Sequence, residues 1–179
     1  MSPVVFWLLM IFYSIAAVFL LVTAYVCLIG APFVPAPQAV VSQMIKAAKL
    51  KKGMTVLDPG CGDGRMLLTA CREQSAIKAV GYELFFVAYL LALWRTRNHR
   101  KQITLFFRNS DYADLSQVDV MFCFMLVKPL ARNAAKYRSE MKKGALILSY
   151  AFEIEGWQPH KVIPAVPERN FAQIFIYKI

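Results

Sequence analysis

The residue types best suited to chemistry stand in one glycine-rich loop, DPGCGDGR, at residues 58–65. A short apolar run, Met54–Leu57, precedes the loop, and a helical pattern follows it. Glycines at such a turn permit a tight backbone and let a ligand approach closely. Asp58 stands where the predicted strand ends, so its carboxylate can accept the positive amino group of an amino-acid-like ligand. The loop therefore predicts a binding site for a small molecule.

A second carboxylate, Glu83, ends the next predicted strand, Ala79–Glu83. It follows the loop by about 20 residues, the place where an acid in a βαβ unit accepts hydrogen bonds from ribose hydroxyls. Alone, Glu83 would also fit a helix N-terminus stabilised by the helix dipole. Arg65 stands where the dinucleotide fingerprint has its third glycine, which argues against NAD or FAD.

The elements that position these residues alternate between strands and helices, which implies a parallel sheet covered on both faces. The last two β runs have only the short connection Val166–Asn170, so they are predicted to be antiparallel to each other. We expect an α/β, Rossmann-like sheet of seven strands, mostly parallel with an antiparallel last strand. The predicted strands are Met54–Leu57, Ala79–Glu83, Ile103–Phe107, Val118–Leu126, Ala145–Ala151, Lys161–Val166 and Phe171–Tyr177; the helices are Gln38–Leu50, Met66–Cys71, Leu84–Trp94 and Ala131–Lys142.

An apolar segment, Pro3–Gly30, precedes this domain, and the first charged side chain along the chain is Lys46. A membrane-crossing helix needs about 20 apolar residues, which this segment supplies. A cleaved signal peptide would have a positive start and an apolar core of about 7–15 residues, so it fits less well. We predict a transmembrane helix over residues 1–30, a proline-rich linker over 31–37 and the α/β domain over 38–179.

The charge of the chain, +10 overall, indicates how this domain is oriented. The first lysines come directly after the apolar segment, at Lys46 and Lys49, and the positive-inside rule then predicts a single-pass protein whose domain faces the cytoplasm. A basic surface beside an anionic lipid leaflet explains the charge better than a nucleic-acid site does. The uncharged helix Leu84–Trp94 is either buried against the sheet or dips into the bilayer interface while its basic neighbours meet headgroups. Those neighbours are Arg95, Arg97, Arg100 and Lys101.

The loop resembles motif I of Class I S-adenosylmethionine-dependent methyltransferases. Further stretches resemble small lysine methyltransferases related to the ATP synthase c-subunit lysine methyltransferase, a family with single-span bacterial and soluble archaeal members. They are PFVPAP, LDPGCGDGR, VGYELFFVAYL, FFRNSDYADLSQVDVMFC and ILSYAFEIEGWQP. The resemblance covers about Pro32 to Pro164, and the order of the motifs carries it.

The resemblance implies S-adenosyl-L-methionine as cofactor and assigns the residues that contact it. These are Asp58, Pro59, Gly60, Cys61, Gly62, Gly64, Glu83, Asn109, Asp111 and Tyr112. Either Asn109 or Asp111 would meet the adenine amino group, and we favour Asp111 with Tyr112 behind it. Pro59 and Ala36 depart from the family pattern, which usually has Leu and Thr there. The resemblance also implies that Phe152, Glu153 and Trp157 border the acceptor site. Phe124 is a further candidate there, since Phe124, Met125 and Leu126 at the end of the fourth predicted strand are either buried strand residues or the wall of an apolar channel.

No residue of the sequence stands out as a catalytic base, and no metal site is expected because there is no CxxC pair and His99 and His160 are isolated. The D/N-P-P-Y/F motif of amino-group DNA methyltransferases is absent, which does not favour nucleic acid as substrate. The leading hypothesis is methylation of lysine side chains on a membrane-associated protein. Two alternatives stay open: methylation of a quinone or isoprenoid lipid in the bilayer, and a non-catalytic membrane module that binds the cofactor.

Overall fold

The computed structural model describes residues 2–29, 34–166 and 171–179, and only the backbone of 26–29. Part of the predicted linker, residues 31–33, and part of the connection Val166–Asn170 lie outside the described residues. The helices are α1 (Pro3–Ile29), α2 (Gln38–Ala48), α3 (Arg65–Glu73), α4 (Phe86–Arg95) and α5 (Val127–Glu140). The strands are β1 (Thr55–Asp58), β2 (Lys78–Glu83), β3 (Ile103–Phe107), β4 (Val120–Cys123), β5 (Leu146–Tyr150), β6 (Lys161–Ile163) and β7 (Ile174–Lys178).

The strands form one seven-stranded sheet in the order β3-β2-β1-β4-β5-β7-β6. The first five are parallel to one another, and β7 is antiparallel to both β5 and β6. This confirms the predicted α/β sheet and its antiparallel last strand. Because β1 stands at the point where the strand order reverses, a crevice opens beyond its carboxyl end, which is where ligands bind in open α/β sheets.

Apolar side chains fill both faces of the sheet. On one face α2 and α3 pack through residues at helical spacing such as Val41, Met44 and Leu67, all less than 1% exposed. On the other face α5 packs through Leu130 and Tyr137. Helix α4 packs against α3 and the β2–β3 edge and buries only the small residues Ala88 and Ala92.

Helix α1 carries the predicted membrane span. Pro3–Tyr25 is long and apolar enough to cross a bilayer, with a mean hydropathy of 2.6, and none of that stretch is buried inside the protein. The hydroxyls of Ser14 and Thr23 each donate a hydrogen bond to a backbone carbonyl one turn earlier, so these polar groups are satisfied within the helix. Length and composition thus fit a span.

Several predicted boundaries differ from the structure, and two of them lie beside the crevice. Strand β4 ends at Cys123 instead of continuing to Leu126, and α5 begins at Val127 instead of Ala131. Pro129 lies in the first turn of α5, where a missing N–H is tolerated, so the helix can begin before the proline. Phe124 therefore leaves the sheet at its carboxyl edge.

Gly64 joins the loop to α3 and lies close to α4. Its φ of 75° is left-handed, and an added Cβ would come within 3.3 Å of the Ala92 Cβ and 3.1 Å of the Thr96 methyl. A non-glycine residue in this conformation costs about 1–2 kcal/mol before any crowding is counted. Glycine therefore allows α3 and α4 to approach each other here.

We expect Gly64→Ala to destabilise the protein more than Gly144→Ala does. Gly144 has a similar φ of 86°, but an added Cβ there meets nothing within 4 Å. Crowding against Ala92 should add roughly 1 kcal/mol or more to the loss at Gly64. Urea midpoints of the detergent-solubilised full chain measure the stability of both variants. Equal losses of stability would show that α4 moves aside without cost to accommodate the added Cβ.

Candidate active site

The crevice beyond β1 is lined by the glycine loop, the end of β2, the chain after β3 and β4, and the segment between α1 and α2. Its lining residues are Val34, Pro35, Ala36, Asp58, Pro59, Gly60, Cys61, Gly62, Asp63, Arg65, Met66, Glu83, Leu84, Asn109, Ser110, Phe122, Phe124, Met125, Pro129 and Arg132. One wall carries the carboxylates and the other carries apolar side chains. The site is thus amphipathic.

Asp58 closes β1 and is 7% exposed. Its Oδ1 accepts one backbone N–H, that of Gly60, at 3.2 Å. Burial, opposed by that hydrogen bond and helped by the charges of Glu83 and Asp63, raises the pKa of Asp58 from 3.8 to about 7. A buried carboxylate in this state favours a cation as its ligand, because a positive group beside it would restore the charged form.

Glu83 closes β2 and is held by three backbone N–H groups. Oε2 accepts the Gly62 N–H at 2.8 Å, and Oε1 accepts those of Leu84 and Phe85 at 2.7 Å each. A carboxylate has about four acceptor sites, so one on Oε2 stays available towards the crevice. The Gly62 bond also clamps the glycine loop onto β2. A ligand hydroxyl is the natural partner for that remaining site.

Asp63 is the third carboxylate of the loop and is 3% exposed. Its Oδ2 lies 2.7 Å from Arg65 Nη2 and 2.9 Å from Arg95 Nη2. Burial acts to raise the pKa of Asp63, but hydrogen bonds and charge from Arg65, with the charge of Arg95, outweigh it and the pKa is lowered. Arg65 Nη1 also donates to the Ala36 carbonyl at 2.9 Å. The pair thereby fixes the segment after α1 to the rim of the crevice.

The chain after β3 brings Asn109 to the crevice and leaves Asp111 behind it. Asn109 accepts the Asp111 N–H at 2.9 Å and donates to its carboxylate. Asp111 is engaged by Arg132 at 3.0 Å and by Asn133 Nδ2 at 2.8 Å, so it serves to hold Asn109. Tyr112 is 70% exposed and lies under the Arg108 guanidinium, outside the crevice lining.

The four residues expected around the acceptor do not come together. Phe124 lines the crevice and packs edge-to-face on Tyr150 at 5.0 Å. The others lie outside the lining: Phe152 through its carbonyl accepts Ser149 Oγ, and Glu153 is exposed. Trp157 packs on Tyr177 and under Arg138, whose guanidinium is 4.4 Å from the ring. Because Tyr177 pairs with Ile147 near the amino end of β5, Trp157 lies far from the carboxyl edge.

Several lining residues were missed by the sequence reading. Asp63 and Arg65 were treated as spacing in the loop, although a carboxylate two residues before an arginine already suggested a pair. Phe122 and Arg132 become part of the crevice only because β4 and the start of α5 come beside β1, whereas Met125, a candidate from the sequence, lines the crevice and Leu126 does not. No local pattern reveals that placement.

Similarity to solved structures defines the class of protein. The fold is that of a Rossmann-like methyltransferase: the RNA methyltransferase from Salinibacter ruber, solved with S-adenosyl-L-homocysteine, superposes with a TM-score of 0.74. The two share 22% identity over 82% of this chain and 94% of that one. At such low identity this likeness concerns the fold alone.

The family follows from sequence. Residues 58–161 match the model of the ANTKMT methyltransferase domain, and the chain belongs to that family. A protein-lysine N-methyltransferase of Saccharolobus islandicus (strain REY15A) is 31% identical over 150 residues, covering 83% of this chain and 93% of that protein. The ATP synthase c-subunit lysine N-methyltransferase of Xenopus laevis is 27% identical over 73% of this chain, which spans only 58% of its length. The protein is a methyltransferase.

The raised pKa of Asp58 predicts a specific pH dependence of stability without ligand. The folded chain binds this proton more tightly than the unfolded chain, so stability due to Asp58 should fall as pH rises from about 4 to 7, by on the order of 4 kcal/mol. The measurement is the free energy of unfolding of the wild type minus that of Asp58→Asn across this range.

Asp114→Asn is the matched control. A backbone hydrogen bond from Ser116 lowers the pKa of Asp114, which is exposed, so its contribution should be lost as pH falls and not as it rises. A pH-independent difference between wild type and Asp58→Asn would contradict the interpretation that Asp58 is buried without a compensating cation.

Proposed function

We propose that this chain is a membrane-anchored methyltransferase that acts on lysine side chains of a membrane-associated protein. S-adenosyl-L-methionine is the cofactor, and when bound it supplies a methyl group on a sulfonium that is already activated for in-line displacement. The chain's task is to hold this cofactor and to align a neutral amine.

The residues of the crevice fit the cofactor. Buried Asp58 would accept the ammonium of the methionine moiety, and the remaining acceptor site on Glu83 would take a ribose hydroxyl. Pro59, Gly60, Cys61 and Gly62 would face the cofactor with little side-chain bulk, and Gly64 would shape the turn. For the adenine we favour Asn109 at the crevice wall, with Asp111 as the residue that positions it.

The apolar wall suits a lysine acceptor. Phe122, Phe124 and Met125 would surround the aliphatic stem and exclude water from the amine. Loss of hydration lowers the pKa of an ammonium group, so it favours the neutral nucleophile that the transfer requires.

The observation that carries the proposal is the short distance between the anchor and the crevice. Helix α1 continues to Ile29, and Val34, Pro35 and Ala36 already line the crevice. Five residues of chain reach at most about 18 Å, so the site must lie close to the end of α1. If α1 crosses the bilayer, the acceptor has to be near the membrane surface.

Among the described residues, no lid covers the site. Between β3 and β4, a stretch described throughout, there is only a single 3-10 turn, Ser110–Tyr112, and between β5 and β6 only a loop. Small hydrophobic ligands are usually buried over most of their surface, whereas a side chain presented by a large partner brings its own cover. This favours a protein acceptor over a quinone or isoprenoid lipid.

We expect Asp58→Ala and Glu83→Ala each to weaken cofactor binding by about 10- to 100-fold, the usual effect of losing a charged acceptor. Calorimetric titration of the full chain in detergent measures this, with Asp114→Asn as the control that should bind normally. Unchanged affinity in both alanine variants would refute the assignment of the site.

The acceptor is identified by comparing cells with and without the gene. Mass spectrometry of membrane proteins should show lysines that lose methyl groups in the deletion and regain them with the wild type or Asp114→Asn, but not with Glu83→Ala. A quinone or lipid that loses a methyl group, with every lysine unchanged, would support the lipid-acceptor alternative instead. If neither lysine methylation nor lipid or quinone methylation changes, the result supports the hypothesis of a non-catalytic module that binds the cofactor.

A further inference from the structure

The outer face of α4 is apolar and exposed. Five of its residues fall within about 140° of the helix circumference at 3.6 residues per turn, and the ring of Phe107 continues them, 5.6 Å from that of Phe86. All six side chains are between 44% and 65% exposed. We call them the α4 surface: Phe86, Val87, Leu90, Leu91, Trp94 and Phe107.

We propose that the α4 surface inserts into the interface of an anionic bilayer and turns the mouth of the crevice towards it, an inference that rests on the proposed membrane anchoring. The helix fully buries only Ala88 and Ala92, on its opposite side, and about half of the area of each residue of the α4 surface stays outside the packing of the domain. An exposed apolar face of this extent marks an interaction site.

The charge around the α4 surface identifies the partner. From Leu84 to Ser110 the sequence contains five basic residues and no acidic one. Arg97, Arg100, Lys101 and Arg108 are exposed, and Arg97 stacks on Trp94 with its guanidinium 4.7 Å from the ring. Arg95, expected to face lipid headgroups, is instead committed to Asp63. Apolar side chains bordered by cations complement a lipid surface with anionic headgroups.

A contact between α1 and the domain places the start of α4 beside the apolar helix. The rings of Phe19 and Phe85 lie 6.0 Å apart, and Phe85 immediately precedes α4. Phe19 lies within the apolar segment Pro3–Gly30, so the α4 surface begins next to the segment proposed to cross the bilayer. An interfacial helix that inserts by roughly 5–10 Å is compatible with that contact.

The orientation follows from the sheet. The start of α4 and Phe107 both lie at the carboxyl ends of β2 and β3, the edge at which Asp58 and Glu83 also stand. A domain that rests on the α4 surface therefore presents the crevice to the membrane. This narrows the acceptor to a lysine near the headgroup level.

Three single-tryptophan variants of the full chain test the proposal in nanodiscs that contain acyl-chain-brominated lipids. The sequence has three tryptophans, so Trp7 reports on the anchor, Trp94 on the α4 surface, and Trp157 on the distant side of the domain. In each variant the other two tryptophans are replaced by phenylalanine. Strong quenching of Trp7 and Trp94 with little effect on Trp157 is the expected result.

The outcomes separate the two proposals. If Trp7 is not quenched, α1 does not insert into the bilayer, and the proposed membrane function is wrong as well. Quenched Trp7 with Trp94 no more quenched than Trp157 would overturn docking of the α4 surface alone. If Trp94 is then shielded from aqueous acrylamide and the nanodiscs hold two chains, a second copy covers the surface instead of lipid.

Charge reversal supplies the second measurement. With phosphatidylglycerol in the disc, Arg100→Glu and Lys101→Glu should each weaken docking by roughly fivefold, and the effect should be small in pure phosphatidylcholine. Lys78→Glu, an exposed change at the start of β2, is the control. Cofactor affinity should stay unchanged in all of them. Charge variants that dock as tightly as the wild type in anionic discs would overturn the electrostatic part.

Discussion

The ion pairs of Asp63 hold four separate segments of this protein in one place. Arg65 comes from the start of α3 and Arg95 from the end of α4, and Arg65 also holds the carbonyl of Ala36. Ion pairs of a buried carboxylate add little net stability compared with apolar packing, but they fix one arrangement, since a displaced Asp63 would be a buried charge without compensation. The segment after α1, the glycine loop, the start of α3 and the end of α4 are therefore set relative to one another by this cluster.

The loop's two aspartates show how the same side chain acquires opposite properties. Asp63 has two arginines and remains charged, whereas Asp58, five residues earlier, has one N–H partner and an elevated pKa. Nothing within the described part of the chain balances Asp58, while Glu83 beside it is nearly saturated by backbone donors. Asp58 is thus a buried carboxyl group of the site that lacks a positively charged partner in that part of the chain. In the proposed binding mode, the ammonium of the cofactor's amino-acid part would supply that charge.

The short loops at the carboxyl edge of the sheet are consistent with the proposed anchoring. The sheet carries short turns and loops where a longer chain would place covering helices, and its carboxyl edge holds the crevice, the segment that follows α1 and the exposed end of α4. A soluble enzyme with this outline would leave both its active site and an apolar helix face in water. Against a membrane, the lipid and a large acceptor together would cover both. The proposed anchoring would also raise the effective concentration of acceptors at the bilayer surface.

Some features needed no tertiary information. The alternation of strand and helix, the glycine loop, Asp58, Glu83 and the apolar segment from Pro3 are local patterns, and the carboxyl ends of parallel strands must meet at one edge. For that reason the sheet, its antiparallel last strand and the grouping of both carboxylates could be predicted. Helix and strand boundaries were predicted less well, because a proline in a first turn and an apolar run past a strand end each fit two elements.

Only the tertiary structure decided which side chains near the site face it. The sequence favoured Asp111 over Asn109 beside the adenine, whereas Arg132 and Asn133 from α5 engage Asp111 and leave Asn109 on the crevice lining. Trp157 follows β5 but packs on Tyr177, and Arg95 pairs with Asp63 although the arginine side chain is 39% exposed. These partners lie some 20 or more residues apart along the chain. Such contacts depend on how packed elements meet, and periodicity within one element carries no information about them.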